Sequence, residues 1–105
     1  MNVRVELCGL DEIGDGEARR FDVGGHRIAV VRCGDDLYAI GDRCSHADVS
    51  LSDGEVLCED AQLECWKHGS AFDLRTGEAL TLPATRPVPV YEVVVDGGRV
   101  SVELP

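Results

Sequence analysis

The sequence predicts an all-β fold, a small antiparallel barrel or sandwich that carries an irregular insertion. Apolar residues alternate with polar ones or form short runs between glycine turn signals, as is typical of short strands. This pattern breaks down between Asp42 and Pro87, where glycine and proline interrupt the apolar pieces. Because 105 residues fit one compact domain, we expect a single domain, residues 1–105, with a loop-rich subdomain at approximately residues 42–87.

Three segments of the N-terminal half predict the first strands. Alternation of Val3, Val5 and Leu7 in "VRVEL" predicts a strand with one buried face. The segments "HRIAVVRC" and "LYAI" are short apolar runs between turn signals, which predicts two further strands. The helical signal is confined to "GLDEIGDG", where Asp11 and Glu12 open a single turn before a glycine ends it.

The C-terminal segment "YEVVVDGGRVSVEL" predicts a β-hairpin. Apolar and polar residues alternate on both sides of the Asp96-Gly97-Gly98 turn signal. We expect five of its side chains to face mostly inward: Val93, Val95, Val100, Val102 and Leu104. The hairpin is therefore interpreted as a structural element.

The chain is strongly acidic, with 20 Asp and Glu against 10 Lys and Arg and a formal net charge of -10. Such a charge repels phosphate groups, so we expect no nucleic acid or membrane partner. It favours a protein partner with a basic face. The N-terminus "MNVRVEL" lacks the plan of a signal peptide, and no apolar window approaches the about 18 residues of a membrane span. We expect a cytoplasmic monomer.

Five cysteines in a chain without a secretory signal argue against a disulfide framework. Cys8, Cys33 and Cys58 lie in or beside apolar stretches, where a free cysteine usually packs as a small hydrophobe. We expect these three to be buried structural thiols. The other two, Cys44 and Cys65, lie in the loop-rich part of the chain and are candidate metal ligands.

Two loops each supply one thiolate and one imidazole. One residue separates Cys44 from His46 in "DRCSHADVS", and two residues separate Cys65 from His68 in "ECWKHGS". Two cysteines and two histidines suit tetrahedral zinc, but zinc fingers bring their cysteines as one pair and their histidines as another on a helix. A Rieske-type 2Fe-2S cluster needs two cysteines on one iron and two histidines on the other, which two mixed loops supply. A zinc-stabilised interaction module is the alternative.

These loops resemble those of Rieske-type ferredoxins. The segments "CSH" and "CWKHGSAFDLRTGE" are similar to the two cluster loops of that family, and "LPATRPVPVY" resembles its proline-containing third loop. The resemblance implies a small antiparallel β domain with a cluster-binding subdomain inserted between strands. It also implies one 2Fe-2S cluster held by Cys44, His46, Cys65 and His68. The implied role is to carry one electron at a time from a flavoprotein reductase to a terminal oxygenase.

The chain is predicted to be an electron carrier and not an enzyme. A mononuclear iron oxygenase centre needs two histidines and a carboxylate. Once His46 and His68 serve the cluster, His26 alone remains, and we interpret it as an ordinary polar strand residue. Small Rieske proteins also occur outside dioxygenase systems, so a carrier or accessory protein in iron–sulfur metabolism is a second alternative.

The residues around the ligands predict a low reduction potential for a cluster of this type. The respiratory branch of the family joins its cluster loops through an additional cysteine in each, and Val49 and Lys67 occupy those places here. Ser70 keeps the hydroxyl of that branch, whereas Phe72 lacks the hydroxyl of its tyrosine. Hydrogen bonds to the cluster sulfurs and net charge help to set the potential. Fewer donors and a high negative charge both lower it.

A docking surface is expected near the same loops. Trp66 lies between two predicted ligands and serves either loop packing or, as its place suggests, shielding of the cluster or docking to a partner. Val49 flanks the first loop. We expect acidic residues to steer the encounter with a basic partner, namely Asp48, Asp53, Glu55 and Glu64.

Overall fold

A computed structural model of the chain describes residues 3–44, 49–67, 69–82 and 84–105. Within these ranges the strands are β1 (Val3–Gly9), β2 (Ala18–Val23), β3 (His26–Cys33), β4 (Asp36–Gly41), β5 (Glu55–Leu57), β6 (Gln62–Glu64), β7 (Ala71–Asp73), β8 (Val90–Asp96) and β9 (Arg99–Leu104). Three short 3₁₀ turns cover Leu10–Glu12, Leu51–Asp53 and Cys58–Asp60. The predicted all-β class is confirmed, and the first 3₁₀ turn lies where the sequence predicts a single helical turn.

The larger sheet has six antiparallel strands in the order β1-β9-β8-β4-β3-β2. The connection between β4 and β8 in the middle of this sheet is short, with the two residue pairs Ala39↔Tyr91 and Ile40↔Val90. Buried side chains from β1 and β9 on one side of this connection share a core with side chains from β3 and β4 on the other. The six-stranded sheet therefore curls around a core of its own.

The middle of strand β3 is buried on both faces of the six-stranded sheet. Ile28 and Val30 belong to the core inside the six-stranded sheet. Ala29 and Val31 point to the opposite face and pack in a second core. A continuous apolar run such as "IAVV" is typical of a strand covered on both sides. The second core joins the large sheet to the rest of the chain.

The segment between β4 and β8, residues 42–89, is called the insertion below. It contains a three-stranded antiparallel sheet in the order β5-β6-β7, whose strands have three residues each. Leu63 of β6 pairs with Phe72 of β7, and both side chains are fully buried against the second core. The sequence predicts a loop-rich middle segment but does not predict this small sheet.

Two glycines of the insertion lie where a side chain would overlap the backbone. Gly77 has a φ of +78°, and a Cβ there would collide with the carbonyl oxygen of Val88. Its own carbonyl accepts a 2.8 Å hydrogen bond from the Val88 N–H. A Cβ on Gly54 would likewise collide with the carbonyl of Glu64. These close approaches hold separate segments of the insertion together.

Cys33 and Cys58 form a disulfide, so the prediction that they are buried free thiols is wrong. Cys33 ends β3, whereas Cys58 is exposed and opens the 3₁₀ turn after β5. The fold brings their Cα atoms to 5.5 Å across a sequence separation of 25 residues, a distance that suits a disulfide. The bond ties the six-stranded sheet to the insertion. Cys8 is a buried free thiol as predicted, and burial raises its pKa.

The predicted C-terminal hairpin is confirmed as β8 and β9, which pair from Glu92↔Glu103 to Asp96↔Arg99. Val100, Val102 and Leu104 are buried, and Val93 is half-buried. Val95 is 45% exposed, because it lies one residue before the end of β8 at the turn, so its predicted inward position is wrong. Among the described residues, no helix is long and apolar enough to cross a membrane.

Candidate metal centre

The first loop places Cys44 three residues after the end of β4. The loop is closed by backbone hydrogen bonds, from Leu51 N–H to the Asp42 carbonyl and from Cys44 N–H to the Val49 carbonyl at 3.1 Å. A bridge between Arg43 and Ser50 lies between these bonds. Cys44 is 2% exposed. Cys44 is thus a buried residue at the start of the loop, where backbone bonds join the two ends of the loop next to β4.

The second loop places Cys65 directly after β6. The Cys65 N–H donates to the Ser70 carbonyl at 2.7 Å, and the Gly69 N–H donates to the Cys65 carbonyl at 2.9 Å. Gly69 has a φ of +73°, a conformation that favours glycine. Cys65 is fully buried. The loop between β6 and β7 therefore turns tightly and buries its cysteine, as the first loop does.

Neither cysteine forms a disulfide, and both belong to the same cluster of buried residues. The remaining predicted ligands, His46 and His68, lie outside the described residues, and so does Pro83 of the third loop. Within the described ranges, no group of three or more histidine, cysteine or acidic side chains is placed to hold a metal ion. The two buried thiols fit the cysteine half of a 2Fe-2S donor set.

Ser70 connects the second loop to the third. Its side chain is fully buried, and its hydroxyl oxygen accepts a 3.1 Å hydrogen bond from the Ala84 N–H. A hydroxyl that accepts a hydrogen bond still has its own proton to donate. Thr81 adds a second connection, because its hydroxyl oxygen accepts from the Ala71 N–H at 2.8 Å. The segment that precedes β8 is thereby held over the second loop.

Phe72 is fully buried beneath these loops. It packs with Leu51, which follows the first loop, and with Leu74 and Val88. The ring supplies no hydrogen-bond donor, as the sequence predicts. The two cysteines therefore share their buried cluster with a layer of apolar side chains, which is called the apolar floor of the site below and consists of Leu51, Phe72, Leu74 and Val88.

Large apolar side chains are exposed on the second and third loops. Trp66 is 57% exposed and Leu82 is 78% exposed, and Leu80 is also exposed. The exposure of Trp66 favours its interpretation as a docking residue over that of a loop-packing residue. Of the predicted steering residues, Asp53 and Glu55 are exposed and Glu64 is half-buried, while Asp48 lies outside the described residues. Val49 is half-buried.

A buried acidic residue near the first loop is not predicted from the sequence. Asp42 is 0% exposed, and its Oδ1 accepts a 2.8 Å hydrogen bond from the Ser52 N–H. Its Oδ2 lies 3.8 Å from Arg20 Nε and 4.0 Å from Arg27 Nη2. The available signal is the position of an acid directly between the apolar run of β4 and the first cysteine loop.

His26 lies apart from these loops, at the start of β3. Its Nδ1 is 3.2 Å from the hydroxyl of Tyr91 in β8, and the two rings meet edge to face at 5.7 Å. Burial raises the pKa of Tyr91, so its hydroxyl stays protonated. His26 is therefore a hydrogen-bonded strand residue, in keeping with its interpretation from the sequence.

Comparison with known proteins gives concordant matches. The family described as Rieske [2Fe-2S] domain matches residues 3–92. The ferredoxin subunit of 3-phenylpropionate/cinnamic acid dioxygenase from Escherichia coli is 44% identical over 102 residues, which are 97% of this chain and 94% of that protein. The ferredoxin of carbazole 1,9a-dioxygenase from Nocardioides aromaticivorans superposes with a TM-score of 0.92 at 42% identity, covering 95% of this chain and 96% of that one.

A third match is a ferredoxin solved together with its redox partner. The structure is described as a complex of reduced oxygenase and oxidized ferredoxin in carbazole 1,9a-dioxygenase. The TM-score is 0.86 at 40% identity, and the match covers 95% of this chain and 92% of that chain. The fold and the sequence are thus similar to those of ferredoxins along almost their whole length.

Proposed function

The chain belongs to the Rieske [2Fe-2S] family, and we propose that four residues hold its single cluster: Cys44, His46, Cys65 and His68. It is a ferredoxin component of ring-hydroxylating dioxygenase systems and transfers electrons to the oxygenase. It is an electron-transfer component and not a catalytic subunit. The cluster-binding subdomain spans approximately residues 42–87 of the single domain, and the protein acts in the cytoplasm.

The main support for this ligand set is the burial of Cys44 and Cys65, neither of them in a disulfide, in one cluster of packed residues. The two thiolates would hold one iron, and His46 and His68 would hold the other. The bound cluster would accept and release one electron at a time. Cys33 and Cys58 are excluded as ligands by their disulfide.

The surrounding residues exclude water from the thiols and fix the loops. Leu51 and Phe72 are fully buried and pack with both cysteines, so an apolar layer closes the site from the interior. The Ser70 hydroxyl holds Ala84 of the third loop against the second. Such supporting contacts keep metal ligands in a fixed geometry.

Cluster content tests the ligand set. Purified wild-type protein should contain the two irons and two acid-labile sulfides of a 2Fe-2S cluster, and His46→Ala or Cys65→Ala should abolish both. Cys8→Ala is the matched control, because Cys8 is also a buried free thiol but lies in β1. It should keep the full content. Stoichiometric zinc without sulfide in protein made under iron-replete conditions would instead support a zinc-stabilised module.

The exposed residues of the second and third loops provide the docking surface for the reductase and the oxygenase. Trp66 and Leu82 offer apolar contact, whereas Asp53 and Glu55 supply negative charge on the insertion. Charges at the rim of an interface act mainly on the association rate and are screened by salt, whereas buried apolar contacts are not. The encounter with a redox partner should therefore depend on both the apolar contacts and the negative charges.

Electron-transfer rates at varied salt test this surface. Transfer from the reductase should slow as the Debye length falls from about 10 Å at 0.1 M to about 3 Å at 1 M salt. Trp66→Ala should weaken the complex at every salt concentration. Val95→Ala is the control, because Val95 is an exposed apolar residue of the six-stranded sheet. Rates that ignore salt, together with a fully active Trp66→Ala protein, would place docking elsewhere.

A further inference from the structure

Asp42 is a fully buried carboxylate at the point where the chain leaves β4 for the first loop. Acidic side chains are almost never fully buried unless they are paired, because removal of a charge from water costs several kcal/mol. Oδ1 accepts from the Ser52 N–H, which follows the loop. Oδ2 faces Arg20 and Arg27 at ion-pair distance. The carboxylate therefore links the start of the loop to residues from two other elements.

The same two arginines also hold the end of the loop. Arg20 Nη1 donates to the Ser50 hydroxyl at 3.3 Å, and Arg27 Nη2 donates to it at 3.2 Å. Arg20 belongs to β2 and Arg27 to β3 of the six-stranded sheet. Asp42 and Ser50, on either side of Cys44, are thus tied to one pair of cations on a rigid sheet. We call Asp42, Arg20, Arg27 and Ser50 the loop clamp.

The loop clamp fixes the position of the first loop more than it stabilises the fold. A buried ion pair is often no better for stability than apolar residues of similar size. The backbone bonds of the loop already connect Asp42 with Leu51 and Cys44 with Val49. These bonds join the two ends of the loop, and the Asp42 N–H, which donates to the Arg27 carbonyl at 2.9 Å, attaches the first end to β3. The side-chain contacts from Asp42 and Ser50 to the two arginines strengthen this attachment and extend it to the second end.

We propose that Asp42 is a positioning residue, which acts through the loop clamp to fix Cys44 relative to the six-stranded sheet. This inference rests on the ligand set proposed above, in which Cys44 holds an iron. Residues that support metal ligands from behind typically change metal affinity by about 10- to 100-fold when they are substituted. The negative charge of Asp42, two residues from Cys44, also lowers the reduction potential, since net charge near a cluster contributes to it.

Asp42→Asn is the direct test, and Asp22→Asn is its matched control. Asp22 also pairs with Arg20, at 3.2 Å, but its side chain is 60% exposed on β2. Both variants remove one negative charge beside Arg20. Of the two acids, Asp42 also faces Arg27 and accepts from the Ser52 N–H, whereas Asp22 contacts Arg20 from an exposed position on β2. Asp42→Asn should lose iron to a chelator about tenfold faster than wild type. It should also shift the visible circular dichroism of the cluster and raise the reduction potential, while Asp22→Asn stays at wild-type values.

Ser50→Ala gives a second, milder test that removes one hydroxyl from the clamp. It should change chelator loss and the visible circular dichroism in the same direction as Asp42→Asn, by a smaller factor. Asp42→Asn protein that matches Asp22→Asn in all three measurements would overturn the inference. If Asp42→Asn does not fold, Ser50→Ala decides, and wild-type behaviour of Ser50→Ala would overturn it.

Cys44→Ser separates this inference from the proposed ligand set. Loss of the cluster in Cys44→Ser, together with an Asp42→Asn protein that behaves as Asp22→Asn does, would reject the clamp alone. A normal cluster in Cys44→Ser would reject the ligand set and the clamp with it.

Discussion

The six-stranded sheet and the insertion are stabilised in different ways. Strands of the large sheet have six to eight residues, and β3 pairs at six positions with β2 and at six positions with β4. The strands of the insertion have three residues each. Short strands bury little surface and make few ladder bonds. The insertion therefore needs contacts that the large sheet does not need.

Those contacts are specific and local. The insertion is connected to the large sheet by the Cys33–Cys58 disulfide and by the loop clamp around Asp42. Inside the insertion, close backbone approach at Gly77 and the Ser70 hydroxyl bond join separate segments. The buried cluster inside the large sheet consists of apolar side chains and the Cys8 thiol, with Tyr91 among the half-buried side chains packed against it. The comparison teaches that a general apolar pattern supports the sheet, while individual residues support the site.

The largest effect is expected from the apolar floor of the site. Phe72→Ala should cost about 3 to 5 kcal/mol of unfolding free energy, because it empties a fully buried site. The matched change in the other core, Val102→Ala, should cost about 2 kcal/mol. Urea unfolding would be followed by far-ultraviolet circular dichroism and by the visible absorbance of the cluster. Phe72→Ala should lose the visible signal first, and Val102→Ala should shift both signals together. Coincident curves for Phe72→Ala would show that the two regions unfold as one.

The next largest loss of stability is expected from removal of the disulfide. Replacing both Cys33 and Cys58 by serine removes a cross-link over 25 residues of sequence, which should cost about 3.5 kcal/mol by the chain-entropy estimate. Thiol titration of unfolded, iron-free protein checks the pairing. Three thiols should react before reduction, those of Cys8, Cys44 and Cys65, and all five should react after it. Five reactive thiols in unreduced protein would contradict the cross-link.

The sequence predicts the large sheet well because its elements have the expected periodicity. Alternation in β1 and around the β8–β9 turn follows from one buried face, and the apolar run of β3 follows from two. Strand β2, "ARRFDV", was not predicted, since two adjacent arginines break its alternation. The strands of the insertion are shorter than the four to eight residues that reveal a period.

The candidate site also has one part that the sequence predicts and one part that it does not. The spacing of the cysteines and histidines predicts the ligand chemistry, because ligand type and count are written in the sequence. Positions such as Asp42 depend on which strands meet, and an acid before a loop is normally exposed. The pairing of Cys33 with Cys58 depends on the approach of the β3–β4 turn to the insertion. The disulfide has no local signal, and the signal for Asp42 is limited to its position between the apolar run of β4 and the first cysteine loop.

Two glycines with nearly the same backbone conformation test the close approach in the insertion. Gly77 and Gly98 have φ values of +78° and +76°, but a Cβ on Gly98 would meet nothing within 4 Å. Gly98→Ala should cost about 1 kcal/mol for the left-handed conformation. Gly77→Ala adds a collision with the Val88 carbonyl and should cost about 3 kcal/mol in total. Equal midpoints in urea for the two variants would mean that the insertion relaxes freely around position 77.

The smallest effect is expected at the bond between the second and third loops. Ser70→Ala leaves the buried Ala84 N–H without its 3.1 Å acceptor, which should cost about 1.5 kcal/mol. The control is Ser101→Ala in β9, a half-buried serine of the large sheet, and it should change stability by less than about 0.5 kcal/mol. Because the Ser70 bond holds the third loop, amide hydrogen exchange at Ala84 should accelerate in Ser70→Ala and not in Ser101→Ala. Unchanged exchange at Ala84 would show that other contacts hold the third loop in place, and that the insertion depends less on single residues than its short strands indicate.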